Sequence, residues 1–191
     1  LKVHAVSADF VHPFSVPEMI GEGLRIGFFP GSTIGNFTYD GAIDFLQGTR
    51  EVVGPCGAML VGLDLKKDER VLHAAYNDAQ GVTAAFNMNL LARLNSELGA
   101  TFNLNGFCHE AFYNAEIGRI EMHLKSLSEQ TVRLGAKLIP FKKNETIHTE
   151  NSYKYGLDEF TELAERAGYK TLKSWRDPDN LFGICFLQGT S

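Results

Sequence analysis

The sequence is poor in cysteine and imposes no pattern on the few it has. Cys56, Cys108 and Cys185 stand apart and are odd in number. No Cys-x-x-Cys pair and no cysteine/histidine ligand spacing occurs, so neither a disulfide framework nor a zinc site is indicated, and no metal is expected. No apolar run reaches the roughly 18–20 residues that a membrane-spanning helix requires. A basic, then apolar, then small-residue leader is missing too. Positive charge is not in excess: 18 lysines and arginines against 23 acidic residues give a formal net charge of −5. The doublets Lys66-Lys67 and Lys142-Lys143 read as solvated faces, so neither nucleic acid nor a membrane is an expected partner. Internal repeats and low-complexity tracts are absent. What remains is a reduced, cytoplasmic chain of 191 residues, 44% of them hydrophobic, enough for one domain with a small appendage. It opens at Leu1 without an initiator methionine, directly in a strand-like segment, as a piece of something longer would.

Periodicity is present in abundance. Leu1 to Val6 alternates and predicts a strand running towards Asp9-Phe10. Leu24 to Phe29 is nearly continuous in apolar residues, as in a strand buried on both faces. Ala42, Ile43, Phe45, Leu46, Thr49, Val52 and Val53 recur at helical spacing before Gly54-Pro55, and Gly57 to Leu65 is another buried strand. Strand, helix and strand with short turns predict a parallel βαβ unit. Helices follow over Glu69 to Tyr76 and Val82 to Leu98, the second with Val82, Ala85, Phe86, Leu90, Leu91, Leu94 and Leu98 on its apolar face. The period then shortens: Phe107–Phe112, Arg119–Leu124, Thr131–Phe141 and Glu145–Tyr155 favour strands. Leu157 to Ala167 is an amphipathic helix, and Tyr169–Trp175 with Leu181–Leu187 flank a strong turn as a closing hairpin. The expected class is α/β, a parallel half-sheet followed by a mixed region.

In open α/β sheets ligands lie beyond the carboxyl ends of the strands. Asp9 there can accept from an exocyclic amine and Phe10 can lie against a flat ring, although a helix N-cap Asp and a core Phe are the simpler account of both on residue type alone. FFPGSTIGNF, residues 28–37, packs glycines, hydroxyls and an asparagine behind a strand. Gly31 and Gly35 let backbone approach a ligand, while Asn36 offers a donor and an acceptor. It is no phosphate loop, because the Gly-Lys-Ser/Thr ending is missing; a tight turn is the plain alternative. Asp64 is expected to cap the next helix or pair with Lys66 or Lys67. Tyr76 sits where its hydroxyl could enter a pocket or simply pack. Glu150 and Ser152, two apart on a strand, share a face. A carboxylate beside a hydroxyl suits a neutral imidazole, with its one N–H and one lone-pair nitrogen, although taken alone a wet polar strand face is the simpler account.

Taken in order, FFPGSTIGNF, LVGLDLKKD, AYNDAQGVTAAFNMNLL, RIEMHLKS and TENSYKY resemble the histidine-specific, S-adenosylmethionine-dependent methyltransferases of ergothioneine biosynthesis, along essentially the whole chain. The resemblance implies a class I (Rossmann-like) methyltransferase fold, its carboxy-terminal part only, with an added mixed α/β substrate-binding region. Residues 1–68 and 169–191 would belong to the methyltransferase sheet and 69–168 to the substrate region. The reaction it implies is methylation of the histidine α-amino group to the trimethylated betaine hercynine, with S-adenosylmethionine as donor. Position by position it implies Asp9 and Phe10 on the adenine side of the donor. Gly31, Asn36 and Tyr76 would hold the amino acid's backbone end, Glu150 and Ser152 its imidazole, and Met122 would line that side. The family's glycine-rich loop, ribose-binding acid and amino-terminal substrate tyrosine have no counterpart here, so the fragment alone is expected to be inactive. The whole protein is expected to be a monomer, and the fragment to self-associate through its sheet edge.

No residue is assigned as acid or base. The sulfonium donor is already activated, so the protein must align nitrogen, methyl and sulfur around a neutral amine. An ordinary phenol, titrating near about 10, is a poor base at neutral pH, which leaves proton loss to water. Two other readings stay open: a related methyltransferase acting on another amino acid or histidine derivative, and a non-catalytic small-molecule-binding module.

Overall fold

In chain order the elements are β1 (Ile26–Phe29), α1 (Tyr39–Val53), β2 (Ala58–Asp64), α2 (Glu69–Tyr76), α3 (Val82–Leu98), β3 (Phe107–Asn114), β4 (Arg119–Ser126), β5 (Gln130–Leu134), β6 (Lys137–Phe141), β7 (Thr146–Tyr153), α4 (Leu157–Arg166), β8 (Tyr169–Arg176) and β9 (Phe182–Gly189). The computed structural model describes residues 3–12 and 23–190. Two units emerge, Leu1–Lys66 with Tyr153–Ser191, and Lys67–Ser152. The expected substrate region runs on to residue 168, whereas the second unit ends at Ser152. The difference is α4, whose Phe160, Leu163 and Ala164 are buried in one core with Leu46, Val61 and Leu187 of the first unit.

The first unit is a four-stranded sheet in the order β1-β2-β9-β8. β1 and β2 run parallel, Ile26 opposite Ala58 and Phe29 opposite Val61. β9 lies antiparallel to β2, and β8 closes the sheet as a hairpin with β9. The βαβ connection is α1, begun by Thr38, whose hydroxyl accepts from the Gly41 N–H at 3.1 Å. It buries Ala42, Ile43, Phe45, Leu46 and Val53 at the expected spacing. Glu159 anchors α4: one carboxylate oxygen accepts from the Gly156 N–H at 3.0 Å, the other from the Tyr39 hydroxyl at 2.7 Å, and Lys66 pairs with it at 2.8 Å.

Two expectations fail here. β1 is not buried on both faces; it is an edge strand with Phe28 70% exposed. Apolar composition reports how many faces a strand would cover, not whether neighbours stand on them. Nor do residues 3–6 form the strand predicted for Leu1 to Val6, of which Leu1 and Lys2 lie outside the described residues. Val3 is 86% exposed, and among the described residues no strand pairs with this segment.

The second unit is built on the sheet β3-β4-β7, with β3 and β4 antiparallel from Phe107 opposite Ser126 to Asn114 opposite Arg119. The predicted β segment Thr131–Phe141 is a hairpin, β5–β6, turned at Gly135 with φ of 57°, a backbone region that costs glycine little. α3 departs from its predicted face. Leu91 is buried, but Val82, Phe86, Leu90 and Leu98 are exposed, Phe86 by 68%. The residue turned inward beside Leu91 is Asn87, one helical turn earlier, because its amide serves two acceptors on β3 and β4. A hydrophobic-periodicity reading has no means of selecting an asparagine.

Candidate functional site

In the first unit the loop after β1 is pinned at the carboxyl ends of the strands. Gly31 and Ser32 both take left-handed conformations, φ 74° and 58°, and a single 3-10 turn follows over Thr33–Asn36. The Ser32 hydroxyl accepts from the Asp64 N–H at 2.7 Å, tying the loop to the end of β2. Gly35 touches the main chain of Tyr153 so closely that a Cβ there would stand 2.8 Å from its carbonyl oxygen. Any larger residue would push the loop away. Gly31 and Asn36 are exposed, with backbone and amide open to a ligand.

Asp9 caps its own turn. One carboxylate oxygen accepts from the Val11 N–H at 3.1 Å and the other lies 3.0 Å from His12 Nδ1. The Val11 N–H and then His12 hold its carboxyl below the usual range. Phe10 packs edge-on against Phe29 and Phe45, at centroid distances of 5.8 and 6.2 Å. Phe10, Phe37, Gly41, Phe45, Gly48 and Val52 line a cleft of about 360 Å³. At Gly48 a Cβ would meet no heavy atom within 4 Å. Apolar rings on the walls and an unfilled glycine leave a slot that a flat ring could enter.

In the second unit Tyr76 ends α2. Its hydroxyl donates to Ser152 Oγ at 2.8 Å, and its ring packs on the cluster of Leu72, Ala111, Ile120 and Met122. Met122 is buried, and its carbonyl accepts from the Thr149 hydroxyl at 3.0 Å, which fixes β7 beside β4. Glu150 is half-buried. It shares a groove of about 210 Å³ with Phe86, Asn87, Leu90, Arg93 and Thr149, and among the described residues no side chain donates to its carboxylate. The structure therefore brings Tyr76, Met122 and Ser152 together, and leaves Glu150 as an acceptor two residues away on the same strand.

Two residues after Tyr76, Asp78 starts α3 by accepting from the N–H groups of Thr83 at 2.8 Å and Val82 at 2.9 Å. These bonds, that from Thr83 foremost, pull its pKa down to about 2 from an ordinary 3.8. A depressed carboxyl stabilises the fold above its unfolded pKa and loses that contribution as pH falls through the folded one. Asp78→Ala should therefore lower the thermal midpoint at pH 7, and the gap to wild type should narrow as pH falls from about 4 towards about 2. Circular-dichroism melts across that range measure it; a gap constant with pH would refute the capping role.

Residues outside the sequence reading also matter. The cap of α2 is Asp68, which accepts from the Arg70 N–H at 2.7 Å, and Lys66 pairs with Glu159; Asp64 Oδ2 takes Lys154 Nζ at 2.7 Å, and the Lys154 side chain is 0% exposed. A lone lysine between two strand tyrosines was the available sign of a buried charge. Glu121, His123 and His148 cluster as well. Burial pushes the Glu121 carboxyl up, but hydrogen bonds from Arg119, His123 and Asn114 outweigh it and hold the group below the usual range. His123 is stacked between Phe112 and His148, at 5.3 and 4.5 Å and within 16° of parallel. Imidazole lone pairs lie in the ring plane, so parallel rings do not converge on one ion, and Arg119 already occupies Glu121. The cluster reads as a stacked support for the sheet.

The sequence profile of the histidine-specific, S-adenosylmethionine-dependent methyltransferase family matches residues 1–189. The histidine N-alpha-methyltransferase of Mycolicibacterium smegmatis is 40% identical over 188 residues, 96% of this chain and 57% of that relative. Ergothioneine biosynthesis protein 1 of Neurospora crassa is 32% identical over 148 residues, 76% of this chain and 16% of that protein. The chain thus spans little more than half the length of the first. Among solved structures, a methyltransferase from Streptomyces caelestis superposes with a TM-score of 0.50 at 13% identity, over 97% of this chain and 63% of that one, a likeness of fold alone.

Proposed function

Since this chain belongs to the histidine-specific, S-adenosylmethionine-dependent methyltransferase family, we propose that it carries the histidine-recognising part of an enzyme that methylates the α-amino group of L-histidine. The product is the trimethylated betaine hercynine, made towards ergothioneine. S-adenosylmethionine supplies the activated methyl group when bound, and Asp9 and Phe10 hold its adenine. Gly31, Asn36 and Tyr76 take the backbone end of the amino acid. Glu150 accepts the imidazole N–H, Ser152 serves the other ring nitrogen, and Met122 lines that side.

The observation that carries this reading is the 2.8 Å hydrogen bond from Tyr76 to Ser152. It joins a residue assigned to the amino acid's backbone end to one assigned to its ring, as a site sized for one small amino acid requires. The bond also sets the Tyr76 ring without needing it as a base; its task is to orient an amine that gives its proton to water.

Selectivity tests the proposal. An indole offers an N–H but no lone-pair nitrogen, and a buried group left unpaired costs about 1–3 kcal/mol. L-histidine should therefore bind roughly 10–100-fold more tightly than L-tryptophan in calorimetric titration of the purified chain, one unpaired group accounting for that ratio. Equal affinities for the two amino acids would overturn it.

A further inference from the structure

α2 ends at Tyr76, and the last carbonyls of a helix have no partner within it. The Tyr76 carbonyl finds one across the fold: His109 Nε2, on β3, lies 2.9 Å away. A carbonyl oxygen can only accept, so Nε2 carries the proton and Nδ1 presents a lone pair. That lone pair faces Asn87 Nδ2 at 3.0 Å. The same Nδ2 donates to the His123 carbonyl, also at 3.0 Å, and Asn87 is 4% exposed. Both amide hydrogens are thus committed, which fixes the amide's orientation, the imidazole tautomer and the plane of the ring. One residue further on, Asn77 Nδ2 donates to the Ala111 carbonyl at 2.9 Å, on the strand that carries His109.

We propose that His109, held by Asn87, is the positioning residue for Tyr76: it clamps the Tyr76 peptide to β3 so that the phenol reaches Ser152 and the substrate. His109 does not itself touch substrate. It acts through the tyrosine's main chain, and without it the last turn of α2 frays and the ring loses its aim. The inference rests on the reading of Tyr76 as a substrate-binding residue.

Two substitutions separate the contact from the bulk of the ring. In His109→Asn the amide oxygen stands near the former Nδ1 and keeps Asn87 satisfied, but the side chain at 109 no longer reaches the Tyr76 carbonyl. In His109→Gln the longer amide places a donor near the former Nε2. With the purified chain and L-histidine titrated calorimetrically, His109→Asn should weaken binding about tenfold, the effect of losing one hydrogen bond to a partly buried carbonyl. His109→Gln should return it to within about threefold of wild type, a recovery that general damage to the core would not give. Tyr76→Phe is the control for the underlying reading and should weaken histidine too. If Tyr76→Phe loses affinity while His109→Asn does not, or if His109→Gln falls as far as His109→Asn, the positioning role is wrong and the Tyr76 assignment stands. If Tyr76→Phe binds histidine as wild type does, the assignment itself fails and the inference goes with it.

Discussion

Glu150→Ala should abolish most of the affinity for L-histidine while leaving that for S-adenosylmethionine within about twofold. A neutral imidazole brings one N–H and one lone pair. A carboxylate takes the first, and a hydrogen bond to a charged acceptor contributes about 1.5–3 kcal/mol. The expected loss is then about 10–150-fold in Kd for histidine. Glu150 is suited to reveal this, because it is half-buried and its strand is held by the Thr149 hydroxyl on the Met122 carbonyl, 3.0 Å away, rather than by Glu150 itself. Truncation should leave the fold intact. Glu150→Gln keeps an acceptor of the same length without its charge and should fall between the two. Ser152→Ala is a less clean probe, since it also removes the acceptor of the Tyr76 hydroxyl. Paired titrations with histidine and donor decide the matter: a matched loss for both ligands would mean that Glu150 supports the fold and not the imidazole.

How far this site could be read from the chain depended on the kind of residue. α2 and α3 were legible to the residue, Glu69–Tyr76 and Val82–Leu98, because glycines, an Asp and apolar spacing mark their ends locally. The closing hairpin was legible from its turn. The face α3 buries was not, because Asn87 points inward for the sake of a histidine 22 residues away. The loop after β1 announced itself by composition, and the structure supplied its reason: Ser32 holds the end of β2, and Gly35 leaves room for the Tyr153 main chain. Residues 3–6 and the exposure of β1 were misjudged for a single cause, that burial depends on neighbours a strand's own residues do not specify. His109 and Asn87 left no local signal, since their roles exist only between elements. Lys154 left one, in the dissonance of a lysine flanked by Tyr153 and Tyr155, both buried.

That lysine carries the largest expected effect on stability. Lys154 Nζ lies 2.7 Å from Asp64 Oδ2, with the lysine side chain 0% and the aspartate 24% exposed. The main chain repeats the join: Tyr155 N–H donates to the Asp64 carbonyl and Lys66 N–H to that of Tyr155, each at 3.0 Å. Asp64 also donates its own N–H to Ser32, so one residue ties together the end of β2, the loop that carries Gly31 and Asn36, and the segment that follows Ser152. The two partners are unequal. Asp64→Ala leaves a buried ammonium without that carboxylate, and breaking a buried pair in this way costs about 3–5 kcal/mol. At about 2–4 °C per kcal/mol for a chain of this size, the thermal midpoint should drop by roughly 6–20 °C. Lys154→Met removes the buried charge itself and keeps the apolar stem, while the remaining carboxylate can still reach water, so its cost should be clearly smaller. The double substitution should then be more stable than Asp64→Ala alone, because the second change relieves what the first created. Thermal melts of the three variants are the measurement. If Asp64→Ala and Lys154→Met fall equally, or if the double variant is the sum of the two, the charge is not what matters at this junction, and its hold on the loop belongs to the main-chain bonds alone.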